Sequence, residues 1–180
     1  TPWGTFVSCE ENFHQYFGGD PAKTAQADAF GRYGVAGDSM EYAWSRFHDR
    51  FDVEKEPNEP NRFGWIVEYD PYDAAAKPVK RTALGRFKHE SAQYVVDSDN
   101  RVAFYMGDDE RNEYVYKFVC TRPLNTKNNN ANRNLLNAGR LYVAKFNADL
   151  SGQWIALVPG TIGVDGIALR DNPNFAGVDD

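Results

Sequence analysis

The sequence predicts an all-β chain. Runs that alternate aromatic or β-branched residues with polar ones recur at 5–8, 63–69, 102–106, 114–119 and 141–146, the period of half-buried strands. Three of them share a local pattern, Trp65-Ile66-Val67-Glu68-Tyr69-Asp70, Tyr114-Val115-Tyr116-Lys117-Phe118-Val119 and Leu141-Tyr142-Val143-Ala144-Lys145-Phe146-Asn147. The first two are offset by 49 positions, close to the 40 to 50 residues of a four-stranded propeller blade, whereas the third follows the second by 28 and breaks the period.

Between the strands, one helix is expected over Ser39–Phe51, capped by Asp38 or Ser39, with Tyr42, Trp44, Phe47 and Phe51 as an aromatic stripe packed on the sheet. The segment 54–60 is charged, carries prolines and reads as a linker. The segment 125–137 contains seven asparagines and reads as a long loop that builds no core and is flexible unless bound. The region from Gly160 onward is rich in Gly, Asn and Asp, with Asp165-Gly166 and Asn172-Pro173 as turn signals. It is expected to lead into a further element.

At 180 residues and 42% hydrophobic the chain has ample material for a core, in one or two domains. A net charge of -6 with scattered acids argues against nucleic acid or an anionic membrane as partner. The apolar stretch Trp154–Pro159 is far short of the ~20 residues of a bilayer span. No initiator Met and no leader pattern precede Thr1-Pro2-Trp3-Gly4, so the chain reads as an internal segment of a longer protein. Two cysteines, Cys9 and Cys120, leave the compartment open. Cys120, after Phe118-Val119, reads as a core thiol.

Three places can carry chemistry. Cys9, Glu10 and Glu11 follow an apolar strand, with Cys9 and Glu11 on one side by alternation, and a turn at Asn12 could bring all three to one metal. The alternative is a buried thiol flanked by solvated acids. The segment 80–90 reads as a basic strand in which Lys80, Arg81, Arg86 and Lys88 either attract phosphate or form a solvated face. It closes on His89, read as a structural donor, and Glu90, a possible ligand. Asp108-Asp109-Glu110 crowds three acids into one hairpin, which must be hydrated, paired or bridged by a cation. Phosphate-loop, Gly-x-Ser-x-Gly, Cys-x-x-Cys and His-Glu-x-x-His motifs are absent, which removes those enzyme classes.

Five motifs then occur together and in order: Thr-Pro-Trp-Gly-Thr-x-x-x-Cys-Glu-Glu-Asn at 1–12, Tyr-Phe-Gly at 16–18, Phe-Gly-Trp-Ile-Val-Glu at 63–68, Lys-Arg-Thr-Ala-Leu-Gly-Arg-Phe-x-His-Glu at 80–90 and Tyr-Met-Gly-Asp-Asp-Glu at 105–110. With them the chain resembles the PhoX family of secreted bacterial alkaline phosphatases, a likeness that extends through 141–146. The resemblance implies that residues 1–180 are a single partial β-propeller domain with one or two helical insertions and long loops. It also implies hydrolysis of small-molecule phosphomonoesters by a periplasmic or secreted, monomeric enzyme with an iron and calcium cluster. By the same resemblance Cys9 is an iron thiolate, Glu10 an adjacent carboxylate ligand, Glu90 a cluster carboxylate and Asp109 a calcium ligand, with Glu11 and Asp108 less firmly carried over. The family's phosphate-gripping cations lie largely outside this chain, leaving Arg81 and Arg86 as weak candidates. A second reading of the same residues is a non-catalytic propeller module stabilised by calcium at 108–110.

Overall fold

A computed structural model of the chain describes residues 1–35, 40–163 and 165–173. The described residues form two antiparallel sheets. In the smaller, β1 (Phe6–Cys9), β2 (Ile66–Tyr69) and β3 (Val79–Lys80) lie in that order, with Cys9 opposite Ile66 and Glu68 opposite Val79. The larger is a meander of β4 (His89–Val96), β5 (Val102–Asp108), β6 (Val115–Cys120), β7 (Gly139–Phe146) and β8 (Gly152–Ala156). Antiparallel neighbours joined in sequence order need only short turns, as the alternating runs require.

Alternation decides the faces of the meander. Val102, Phe104 and Met106 of β5 point inward, and Phe104 stands opposite Phe118, itself opposite Leu141. These residues share a core with Trp3, Ile66, Leu84, Phe87, Cys120, Leu135 and Leu136. On the outer face Lys117 stands between Tyr105 and Tyr142 in the register and lies over the Tyr142 and Trp154 rings. A second core gathers Phe13, Phe17, Phe30, Val35 and Val53. Arg86 lies in sequence between Leu84 and Phe87 of the first core and reaches toward the second, where its guanidinium covers the Tyr33 ring at 3.9 Å and donates to the carbonyls of Phe63 and Pro60, both at 2.8 Å.

Several expectations are corrected. The helix over 39–51 is not formed: 3-10 turns occupy Ala43–Arg46 and Asp49–Phe51, and the proposed caps Asp38 and Ser39 lie outside the described residues. Tyr42, Trp44 and Phe51 gather in one aromatic cluster, Trp44 stacking on Tyr42 and Tyr16 and lying 5.2 Å from Phe51, which packs on Phe17, while Phe47 is 78% exposed. On a helix Tyr42 and Trp44, two positions apart, would face away from each other, so their stacking requires the irregular backbone. Among the described residues the α-helix is α1 (Ala27–Tyr33), which buries Phe30 and ends on a left-handed Gly34. The segment 80–90 is not one strand, since a 3-10 turn at Thr82–Leu84 separates β3 from β4. The linker is packed, with Pro60 buried and Glu59 paired to Arg50 and Arg62. The asparagine segment contributes to the core after all. Leu135 and Leu136 are buried, and Asn132, also buried, accepts from the Asn125 N–H and donates to the Asn125 and Asn128 carbonyls. Among the described residues no helix is long and apolar enough to cross a membrane.

Cys120 is a buried core thiol, as expected; it is unpaired with Cys9, and burial pushes its pKa up to about 12. The unfolded chain ionises this thiol from about pH 8.5, whereas the folded chain does so only near 12, so stability is lost as pH rises through that window. Between pH 8 and pH 10.5, wild type should lose about 2 kcal/mol more unfolding free energy than Cys120→Val. Parallel losses in the two would refute the assignment.

A candidate metal centre where the two sheets meet

The two sheets touch at the exit of β1. The Glu10 N–H donates to the Trp65 carbonyl at 3.2 Å, continuing the pairing with the smaller sheet, and the Glu10 carbonyl accepts from the His89 N–H at 3.3 Å, at the start of β4. One backbone residue thus joins both sheets, and its neighbours in sequence are Cys9 and Glu11.

Glu90 arrives by a local irregularity. His89 pairs with Asp108 and Ser91 with Gly107, so Glu90 is the extra residue of a β-bulge. A bulge breaks alternation and re-aims a side chain. The Glu90 charge acts on Glu11, and Glu11 also hydrogen-bonds Asp109. Burial first, then the Asp109 bond and charge, then Glu90 hold the Glu11 carboxyl above the ordinary carboxylate range. Burial, with Glu11 second, pushes the Cys9 thiol up as well. Cys9, Glu11, Glu90 and Asp109, from the ends of β1, β4 and β5, are therefore electrostatic neighbours, and each raised group favours retaining its proton.

Glu10 is disposed differently. Its Oε1 accepts from Lys80 Nζ at 2.6 Å and its Oε2 from the Trp65 N–H at 3.0 Å. Of the three hairpin acids, Asp108 faces Arg32 of α1 at 3.8 Å and Glu110 is ion-paired with Lys88, so two are paired as the crowding demands. Burial raises the Asp108 pKa, and its Oδ2 has no hydrogen bond. Asp109 meets another carboxyl group. As arranged, no three Cys, His, Asp or Glu side chains among the described residues stand ready to hold a metal ion together.

The basic residues do not form a phosphate grip. Arg81 is buried on Glu68 at 2.6 Å, Arg86 serves the carbonyls and rings described above, and Lys80 and Lys88 are each paired with a glutamate. His89 is the structural donor expected of it: its Nε2 lies 3.0 Å from the Gly85 carbonyl, its ring stacks on Phe87, and burial lowers its pKa to about 4. Sequence reasoning underweighted Glu11, which the structure puts at the middle of the acidic group. The alternation of Cys9 and Glu11 on one side of the strand was the available signal.

The donor chemistry suits a metal. A thiol beside carboxyl groups serves a borderline transition metal, the carboxylates serve a hard cation, and a carboxyl group raised by burial and by neighbouring acids can exchange its proton for a cation.

Comparison with known proteins bears on this geometry. A family model described as alkaline phosphatase PhoX matches residues 1–177. A solved structure, Pseudomonas fluorescens PhoX in complex with vanadate, a transition state analogue, is 50% identical over 91% of this chain, with a TM-score of 0.84. The chain spans 30% of that protein's length. A search of curated proteins finds no match. By the family match over nearly its whole length and this half-identical solved relative, the chain belongs to the alkaline phosphatase PhoX family.

Proposed function

We propose that this chain is part of a metal-dependent alkaline phosphatase that hydrolyses small-molecule phosphate monoesters, with iron and calcium as cofactors. The observation that carries the reading is the convergence of Cys9, Glu11, Glu90 and Asp109 from three strand ends in a chain of this family. We assign the Cys9 thiolate to iron, Glu90 to the shared cluster, and Asp109 with Glu11 to the calcium side. Glu10, adjacent to Cys9, joins the ligands by exchanging Lys80 for a cation. Membership of the family further supports a propeller as the complete architecture, to which the sheets of three and five strands belong as one partial domain, and a monomeric, secreted or periplasmic enzyme.

The chemistry that such a cluster supplies when bound is polarisation of the phosphoryl oxygens and a lowered pKa for a water molecule. The chain's own residues prepare for it. Glu11, whose carboxyl burial and the neighbouring Asp109 hold above the ordinary range, would give up its proton to a bound cation. The Cys9 thiol likewise gives up its proton, and the joint β1–β4 backbone keeps Cys9 and Glu90 on rigid strand ends.

Asp109→Asn in the full-length enzyme replaces an anionic oxygen with a neutral one. Calcium binding is expected to weaken by roughly tenfold or more, as loss of even an outer-shell partner does. An unchanged calcium titration refutes the Asp109 assignment. Elemental analysis of the same protein tests the wider reading, since iron with calcium supports the phosphatase and calcium alone a non-catalytic propeller module.

A further inference from the structure

We propose that Lys88 is a positioning residue, which with Glu110 forms a strut that holds Asp109 against Glu11. The proposal rests on Asp109 being a cation ligand. Lys88 is only 7% exposed and lies just before β4. It holds the acidic hairpin at two points. Its carbonyl accepts from the Asp109 N–H at 3.0 Å, and its ammonium pairs with the Glu110 carboxylate. A third bond, from the Glu110 N–H to Asp108 Oδ1 at 3.2 Å, closes the turn between them.

The consequence is a division of the three acids. Asp108 is held toward Arg32 and Glu110 toward Lys88, which leaves Asp109 beside Glu11. Stability alone gives little reason for the pair, because Glu110 is 36% exposed and an ion pair that open to water contributes only about 0–1 kcal/mol. Without the ammonium, however, Glu110 keeps only the Arg111 N–H on its Oε1, at 2.9 Å, and its uncompensated charge one residue from Asp109 can swing toward the same cation or repel its neighbour. Such partners behind a metal ligand set its orientation and affinity.

The test is calcium titration calorimetry on the metal-stripped full-length enzyme. Lys88→Met and Glu110→Gln should each weaken calcium binding about 10- to 100-fold. Lys88→Arg should recover most of that loss by restoring the charge. Combining Lys88→Met with Glu110→Gln should weaken binding no further than the worse single variant, since the two act as one pair. Should Lys88→Met fail to fold, Glu110→Gln decides alone. Calcium binding like wild type in Glu110→Gln, while Asp109→Asn binds weakly, overturns the strut and leaves the metal assignment standing. An unchanged Asp109→Asn overturns the assignment of Asp109, and the strut with it.

Discussion

Cys9→Ser in the full-length enzyme should lose most of its iron and at least about a hundredfold of its phosphatase activity, with the fold intact. A serine hydroxyl stays protonated where a thiol, even one pushed up by burial, can ionise against a metal, and it is a harder and poorer ligand. Cys9, at the last position of β1 opposite Ile66, is only partly buried where it packs on the core, so exchanging sulfur for the smaller oxygen leaves the surrounding packing largely in place. Glu90→Gln should reproduce this loss, although its residue reaches the site from another sheet. The link between them runs through Glu11, which feels the charge of Glu90 and passes its own to Cys9. If the residues act through one metal cluster, the double variant is no worse than the poorer single, because members of one unit are not additive. Multiplying losses, or a Cys9→Ser protein that keeps its iron and its turnover, would sink the common site.

What the sequence reveals and what it conceals follow from where the determining contacts lie. Strands β1, β2, β5, β6 and β7 were legible because their inward residues, such as Val102, Phe104 and Met106, alternate with polar neighbours. Strand β4 was not, since most of His89–Val96 is exposed and its sequence carries no contrast between faces. Helix α1 was missed for a similar reason: seven residues with Gly31 inside and one buried side chain, Phe30, make no stripe. The thiol and the acids of the site were legible as residue types, and the family motifs placed them. The bulge that aims Glu90 is set by its register against Gly107 and Asp108 on another strand, which no local pattern encodes. The same holds for the cations. Nothing local distinguishes an arginine that grips phosphate from one that will be buried on a carboxylate.

Arg81 is the clearest instance, and its loss should cost more stability than any other side chain considered above. Its Nε donates to Glu68 Oε2 at 2.6 Å, and its remaining nitrogens reach Asn137 and the Arg133 carbonyl. Glu68 Oε1 in turn accepts from the Trp3 indole at 2.8 Å and from Thr5. One buried ion pair thereby joins the chain start, β2 and the asparagine segment. Arg81→Met leaves Glu68 charged and only partly compensated at 3% exposure, and removing one partner of such a pair costs about 3–5 kcal/mol. Arg81→Lys should recover only part of this, because an ammonium cannot span three acceptors set out for a planar guanidinium. The double variant Arg81→Met with Glu68→Gln should be less destabilised than Arg81→Met alone, since a neutral amide can keep the indole and hydroxyl bonds without a stranded charge. Urea unfolding of the three variants measures the differences. An Arg81→Met protein within about 1 kcal/mol of wild type, below the cost of stranding a buried charge, would show that Glu68 is not held by this arginine. If instead its stability is intact while its affinity for substrate falls, Arg81 belongs to the phosphate site that its place in a basic segment first suggested.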